Sequence, residues 1–158
     1  MLHVIRTSAS HEDFIKLVSK LDADLSDRDG DDHAFYHQFN RIDTLKYALV
    51  AYAQNEAVGC GAIKEFDADA MEVKRMYVLP NNRGKGIATT LLWELEKWAL
   101  ELGYMKCVLE TGKRQPEAIS LYEKSGYQRI PNYGQYKGVE NSICFEKIVT
   151  FGAKPPTQ

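Results

Sequence analysis

Apolar residues along the chain recur with two periods, and the switches between them outline the elements. HVIRT at 3–7 predicts a strand, and Ser10 with Asp13 three residues on predicts a helix N-cap pair. Phe14, Leu17, Val18, Leu21 and Leu25 then share one face at helical spacing, and the acidic run DADLSDRDGDD at 22–32 predicts the end of that helix. A second short helix is expected over 34–39. The β-rich stretches 47–52 and 57–66, joined by the turn-like Gln54-Asn55-Glu56, and 71–79 after Asp67-Ala68-Asp69, predict three consecutive antiparallel strands.

From Gly86 the period lengthens. Ile87, Ala88, Leu91, Leu92, Leu95, Trp98, Ala99 and Leu102 form an amphipathic helix closed by Gly103. A buried strand over 105–111, a helix over 116–124 ending near Gly126 and a last strand over 142–148 complete the pattern. The order predicts a mixed α/β layer, a meander followed by a strand-helix-strand crossover, in a single domain over 1–150 with a disordered tail at 151–158.

Composition narrows the function. With 158 residues and 44% hydrophobic content the chain fits one domain with a real core. A net charge of −2 argues against a domain built to neutralise nucleic-acid phosphates. No apolar run approaches the ~20 residues of a membrane span, and MLHVIRTSAS lacks a signal-peptide layout, so a soluble cytoplasmic protein is expected. Cys60, Cys107 and Cys144 are odd in number, far apart and set in apolar runs, which predicts buried thiols, with no disulfide and no metal.

The candidate chemistry sits at MYVLPNNRGKGIATTLL, 76–92. A strand, a turn with Pro80 and two asparagines, then Arg83-Gly84-Lys85-Gly86 opening a helix directs backbone amides at whatever lies above the helix end. Such an end favours anions; a tight turn with solvated basic residues is the plain alternative. A Walker loop is excluded, because Lys85 is followed by Gly86 and Leu79 stands five places before Gly84. A dinucleotide fingerprint starting at Gly84 would need a third glycine where Thr89 stands.

What remains, R-x-x-G-x-A over 83–88 directly after EVKRMYV, resembles the acetyl-CoA signature of the GNAT N-acetyltransferase superfamily, R/Q-x-x-G-x-G/A. A second segment, QPEAISLYEKSGY at 115–127, is similar to the family's N-x-x-A-x-x-L-Y-x-x-x-G-F/Y helix, with Gln115 in place of the usual Asn. The resemblance implies an α/β (α+β) fold with a mixed, mostly antiparallel central sheet of about six to seven strands flanked by helices. It implies acetyl-CoA as co-substrate, with coenzyme A as product and no metal. Backbone groups of Met76 and Val78 would pair with the pantetheine arm. The pyrophosphate would lie over the amides of Gly84, Lys85, Gly86, Ile87 and Ala88, with Arg83, Lys85 and Thr89 as side-chain donors. Gln115, Ala118, Leu121 and Lys124 of the second segment would complete the cofactor site, and the amide near Met76 or Tyr77 would be the oxyanion donor.

The same resemblance assigns catalytic roles. An amine with pKa near ~10 must lose a proton, and a thiolate whose thiol has a pKa of roughly 8.5 is helped by a donor. Tyr122 matches the family's acid. Glu72 matches a strand glutamate that takes the amine proton, often through water, with Glu65, His33 and His37 as rivals. Period-2 alternation puts Glu72 on one face with Lys74, Met76 and Val78. Tyr133, Tyr136 and Asn132 in IPNYGQYKGVENS, with Glu65, are candidate acceptor-site residues; a polar hairpin connection is the alternative. The acidic cluster 22–32 reads as a solvated loop or as an attractor for a cationic substrate, and Leu25 and Tyr36 at its ligand positions exclude a calcium loop. The expected activity is acetyl transfer from acetyl-CoA to a primary amine of a small molecule or peptide. A protein lysine or N-terminal acetyltransferase and a non-catalytic coenzyme A-binding module are the alternatives. Dimers are frequent in the resembled family, so a homodimer is among the expectations.

Overall fold

The computed structural model describes residues 1–30 and 45–150. The helix expected over 34–39, His33, His37, Asp31, Asp32 and the tail 151–158 lie outside the described residues.

The elements are β1 (Leu2–Thr7), α1 (Glu12–Asp29), β2 (Tyr47–Ala53), β3 (Glu56–Glu65), β4 (Ala70–Val78), α2 (Ile87–Glu101), β5 (Lys106–Gly112), α3 (Pro116–Lys124), β6 (Gln128–Ile130) and β7 (Ser142–Ile148). Among the described residues the strands form one seven-stranded sheet in the order β1-β2-β3-β4-β5-β7-β6. Strands β1 to β4 are an antiparallel meander, α2 carries the chain across to β5, parallel to β4, and β7 and β6 close the sheet antiparallel. The β2–β3 turn has Gln54 and Asn55 at φ 53° and 67°, the paired left-handed geometry that a two-residue hairpin requires.

Alternation along the strands divides the core. Leu49 and Ala51 of β2 face α2, which presents Ile87, Leu91, Leu92, Leu95 and Ala99; Ala48 and Val50 face α1, which presents Phe14, Leu17, Val18 and Leu21. Helix α2 lies close on β3 at Gly61, where an added Cβ would stand 2.6 Å from Met76 Sδ and 3.0 Å from Leu95 Cδ1.

One local expectation is corrected, a second is refined, and one strand is unexpected. The N-cap of α1 is His11, whose Nδ1 accepts from the Asp13 N–H at 3.2 Å, while Ser10 pairs with the Ser8 hydroxyl at 2.8 Å. Helix α1 runs through most of the acidic run and ends within it at Asp29, with Gly30 as its C-cap and Arg28 paired to acidic side chains in the last turn. Arg28 Nε is 3.3 Å from Asp24, one turn back, and Nη1 reaches Glu117 on α3. Strand β6, three residues long and largely exposed, carries no readable alternation.

The correction that matters for function lies in β4. The β3–β4 register shifts between Cys60 and Ala62, and Arg75 adopts φ 59°, so the strand bulges there. Val73 packs in the α2-side core, Lys74 pairs with Glu72, and Arg75 reaches Asp22 on α1. Two successive side chains therefore leave the α2 face, and the alternation inverts beyond them. Met76 and Val78 pack on the α2 side and Tyr77 on the α1 side. Glu72 thus shares its face with Lys74, Arg75 and Tyr77, not with Met76 and Val78.

Candidate active site

Strand β4 pairs with β5 only at Ala70, Met71 and Glu72, opposite Lys106, Cys107 and Val108. Beyond Glu72 the strands diverge, and the backbone of β4 has no β5 partner. The Leu79 N–H donates to Val58 O at 2.9 Å, so by antiparallel alternation Val78 and Met76 turn their backbone groups away from β3 into the gap. The Val78 carbonyl there accepts from Arg83 Nε at 2.9 Å.

A groove of about 350 Å³ runs along this edge. Its lining includes Met76, Tyr77, Val78, Arg83, Gly84, Gly86, Ile87, Ala88 and Thr89 from one side and Gln115, Ala118, Leu121 and Lys124 from the other. Lys85 is the one predicted cofactor residue outside this lining, exposed on the turn. Leu21 and Asp24 of α1 also line the groove, a contribution that the local patterns do not reveal.

At the groove's basic end Gly84 and Gly86 adopt φ 77° and 80°. Gly86 caps α2 without a side-chain bond, no acidic residue occupies the first turn, and the Thr90 N–H is bonded back to Gly86 O at 3.0 Å. The N–H groups of Ile87, Ala88 and Thr89 precede that first helical bond, which makes this end a site for an anion. Arg83 stacks its guanidinium 5.6 Å from the Tyr77 ring centroid, so it serves first to close the turn.

The groove meets a cavity of about 90 Å³, and Leu21, Met76, Gln115 and Ala118 line both. Into the cavity come Glu72, Lys74 and Arg75 of β4, Glu110 of β5, Tyr122 of α3 and Tyr136 of the β6–β7 connection. Glu72 is buried; its Oε2 accepts from the Tyr133 hydroxyl at 2.6 Å, and Lys74 Nζ lies 3.9 Å from its Oε1. Burial lowers the Lys74 pKa, against the opposing pull of the Glu72 and Glu110 carboxylates. Tyr122 packs against Tyr127 and Phe145 at 5.8 and 6.0 Å between ring centroids. Burial, then the Glu110 charge, push its phenol upward, so it is a protonated donor at neutral pH.

Three predicted acceptor residues stand elsewhere, among them Asn132, which lines neither cavity nor groove and donates to Val139 O and Ser142 O. Glu65 is exposed at the end of β3, where it accepts from the Tyr104 hydroxyl, and it does not line the cavity. Tyr133 also lies outside the lining, with its hydroxyl on Glu72. Sequence reasoning gave no role to Lys74 or Glu110, both of which line this cavity. The free thiols of Cys60, Cys107 and Cys144 are buried, which pushes them up to about 12, about 12 and about 11. Among the described residues, no cluster of His, Cys, Asp and Glu is placed to hold a metal, and no helix is long and apolar enough to cross a membrane.

The sequence pattern of the acetyltransferase (GNAT) family matches residues 13–127. The chain belongs to the GNAT family. As a GNAT protein it is an N-acetyltransferase, and relatives resemble it over different lengths. It is 33% identical over 147 residues to the IAA acetyltransferase of Azospirillum brasilense, covering 91% of this chain and 95% of the relative. It is 40% identical over 87 residues to the uncharacterized N-acetyltransferase YjgM of Escherichia coli (strain K12), a match spanning 53% of this chain and only about half, 52%, of that relative. A candidate acyl-CoA N-acyltransferase from Klebsiella pneumoniae superposes with a TM-score of 0.80 at 30% identity, covering 95% of this chain and 99% of the other. The GNAT fold, a seven-stranded and mostly antiparallel sheet flanked by helices, is thus the fold the two sequence segments imply.

Proposed function

We propose that this GNAT enzyme transfers the acetyl group of acetyl-CoA directly to a primary amine of a small molecule within a ternary complex. The observation that carries this reading is the junction of groove and cavity at Leu21, Met76, Gln115 and Ala118, with Glu72 and Tyr122 both on the cavity wall.

The groove suits coenzyme A at both ends. The unpaired edge of β4 offers peptide-like donors and acceptors to a pantetheine arm, and the α2 N-terminus with Gly84 and Gly86 offers amides to a diphosphate. Acetyl-CoA supplies the activated acyl carbon and a thiolate leaving group. Glu72 accepts the amine proton, directly or through water, which frees the lone pair for attack on that carbon. The outward N–H of Met76 stabilises the developing oxyanion; register favours it over Tyr77, whose amide points to β3. Tyr122 donates its phenolic proton to the departing sulfur as the C–S bond breaks, and the second proton of the attacking nitrogen, released as the amide forms, returns Tyr122 to the phenol. Lys74 Nζ stands 3.9 Å from Glu72 Oε1. The cavity's modest volume supports a small acceptor over a folded protein.

The test is release of free coenzyme A from acetyl-CoA across a panel of amines and short peptides, run beside Tyr122→Phe and Glu72→Gln. Turnover with a small-amine class, reduced roughly 10²-fold or more in each variant, is the expected outcome. Undiminished turnover in a variant removes that residue from the mechanism. Turnover with peptides alone replaces the small-molecule acceptor by a protein one. Tight acetyl-CoA binding with no turnover on any acceptor favours the binding-module alternative.

A further inference from the structure

We propose that Tyr133 is a positioning residue for Glu72: its hydroxyl holds Oε2 and leaves Oε1, beside Lys74, as the oxygen that takes the amine proton. This rests on the reading of Glu72 as base. The bond is 2.6 Å, phenol to carboxylate, and the carboxylate is buried. A buried carboxylate with one oxygen fixed has a single orientation, which a base acting at a defined distance needs.

The phenol is itself held from three sides. Its ring lies edge-on to Phe66 at 4.7 Å and to Tyr136 at 5.8 Å. The connection that carries it is pinned by Asn132, whose Nδ2 donates to Val139 O at 3.1 Å and to Ser142 O at 3.0 Å. Tyr133 has one proton, which it donates in a hydrogen bond to Glu72 Oε2, so it has none to give an acceptor in the cavity, whose wall it does not form. Burial first, then the Glu72 charge and this bond, with Cys144 and Tyr136 as further neighbours, raise the phenol's pKa and keep it a donor.

Tyr133→Phe preserves the ring contacts and deletes only the hydroxyl. The expected result is a fall in kcat of roughly tenfold, the worth of a hydrogen bond to a charged group, with KM for amine and acetyl-CoA unchanged. An acceptor-independent measurement follows Tyr133 by NMR of ¹³Cζ-labelled tyrosine, its signal assigned through Tyr133→Phe. At neutral pH the Tyr133 signal in Glu72→Gln should stand away from its wild-type position, because the phenol has lost its charged acceptor. An unmoved signal, or a raised amine KM with kcat preserved in Tyr133→Phe, overturns the positioning role. Loss of turnover in Glu72→Gln with none in Tyr133→Phe overturns that role alone. Full turnover in Glu72→Gln overturns the base assignment beneath it.

Discussion

Arg75, at φ 59° inside β4, donates through Nη2 to Asp22 on α1, with a side chain only 2% exposed. The pair ties the bulge, and hence the inverted face of β4, to the helix that covers the cavity. Among the described residues its Nε is buried without a hydrogen-bond partner, and Asp22 is the acidic side chain that the guanidinium meets. Asp22→Ala would leave that cation uncompensated. The expected cost is about 2 kcal/mol, below the ~3–5 of a fully buried pair because Asp22 is itself 34% exposed. Urea unfolding of the variant against wild type measures it; an unchanged midpoint would mean that the pair carries no weight.

Gly84 holds φ 77°, and an added Cβ would meet nothing within 4 Å among the described residues. Gly84→Ala therefore isolates the backbone term, about 1–2 kcal/mol for a left-handed L-residue. If this turn seats the diphosphate, KM for acetyl-CoA rises while kcat holds, and steady-state kinetics with acetyl-CoA varied separates the two.

The three buried thiols set an alkaline limit. Their folded values, about 11 to 12, lie above the ordinary 9.0, so their contribution to stability is complete below pH 9 and is lost as pH rises through 9 to 12. Urea midpoints measured across pH should hold below 9 and fall above it. A disulfide thiol reagent at about pH 8 should label none of the three in the native protein and all of them after unfolding.

Glu96 is buried on α2, accepting from the Tyr127 hydroxyl at 2.9 Å and from Lys147 Nζ at 2.9 Å. Lys147→Met removes the cation and leaves the carboxylate with the phenol alone, at an expected cost of about 2 kcal/mol. Double substitution with Glu96→Gln should recover part of it, as a double-mutant cycle by urea unfolding would reveal.

The helical stripes of α1 and α2 were legible because each buries one continuous face, so a 3.6 period survives in the apolar positions. Glu96 escaped notice for the same reason in reverse: a charged residue breaks the pattern, and its partners arrive from β7 and from the segment after α3, far along the chain. The hairpin turn at Gln54 and Asn55 was legible because its backbone geometry is chosen locally. Most of the groove's lining was legible because β4 with the turn after it, and one helix, each continuous in sequence, supply most of its walls.

By itself the sequence determined the elements other than β6, the glycine-bearing turn ahead of α2, the two family segments and thereby the GNAT fold. Those are local or periodic features, set by backbone conformation and by which face each segment buries. Only the tertiary structure decided how β4 presents its side chains. A single bulge at Arg75 inverts the alternation, and period-2 reasoning has no means to register one extra residue. The placing of Tyr133 on Glu72, of Asp22 on Arg75 and of Glu110 in the cavity likewise follows from strands that diverge after Glu72. Their separation along the chain leaves no local trace of the contact.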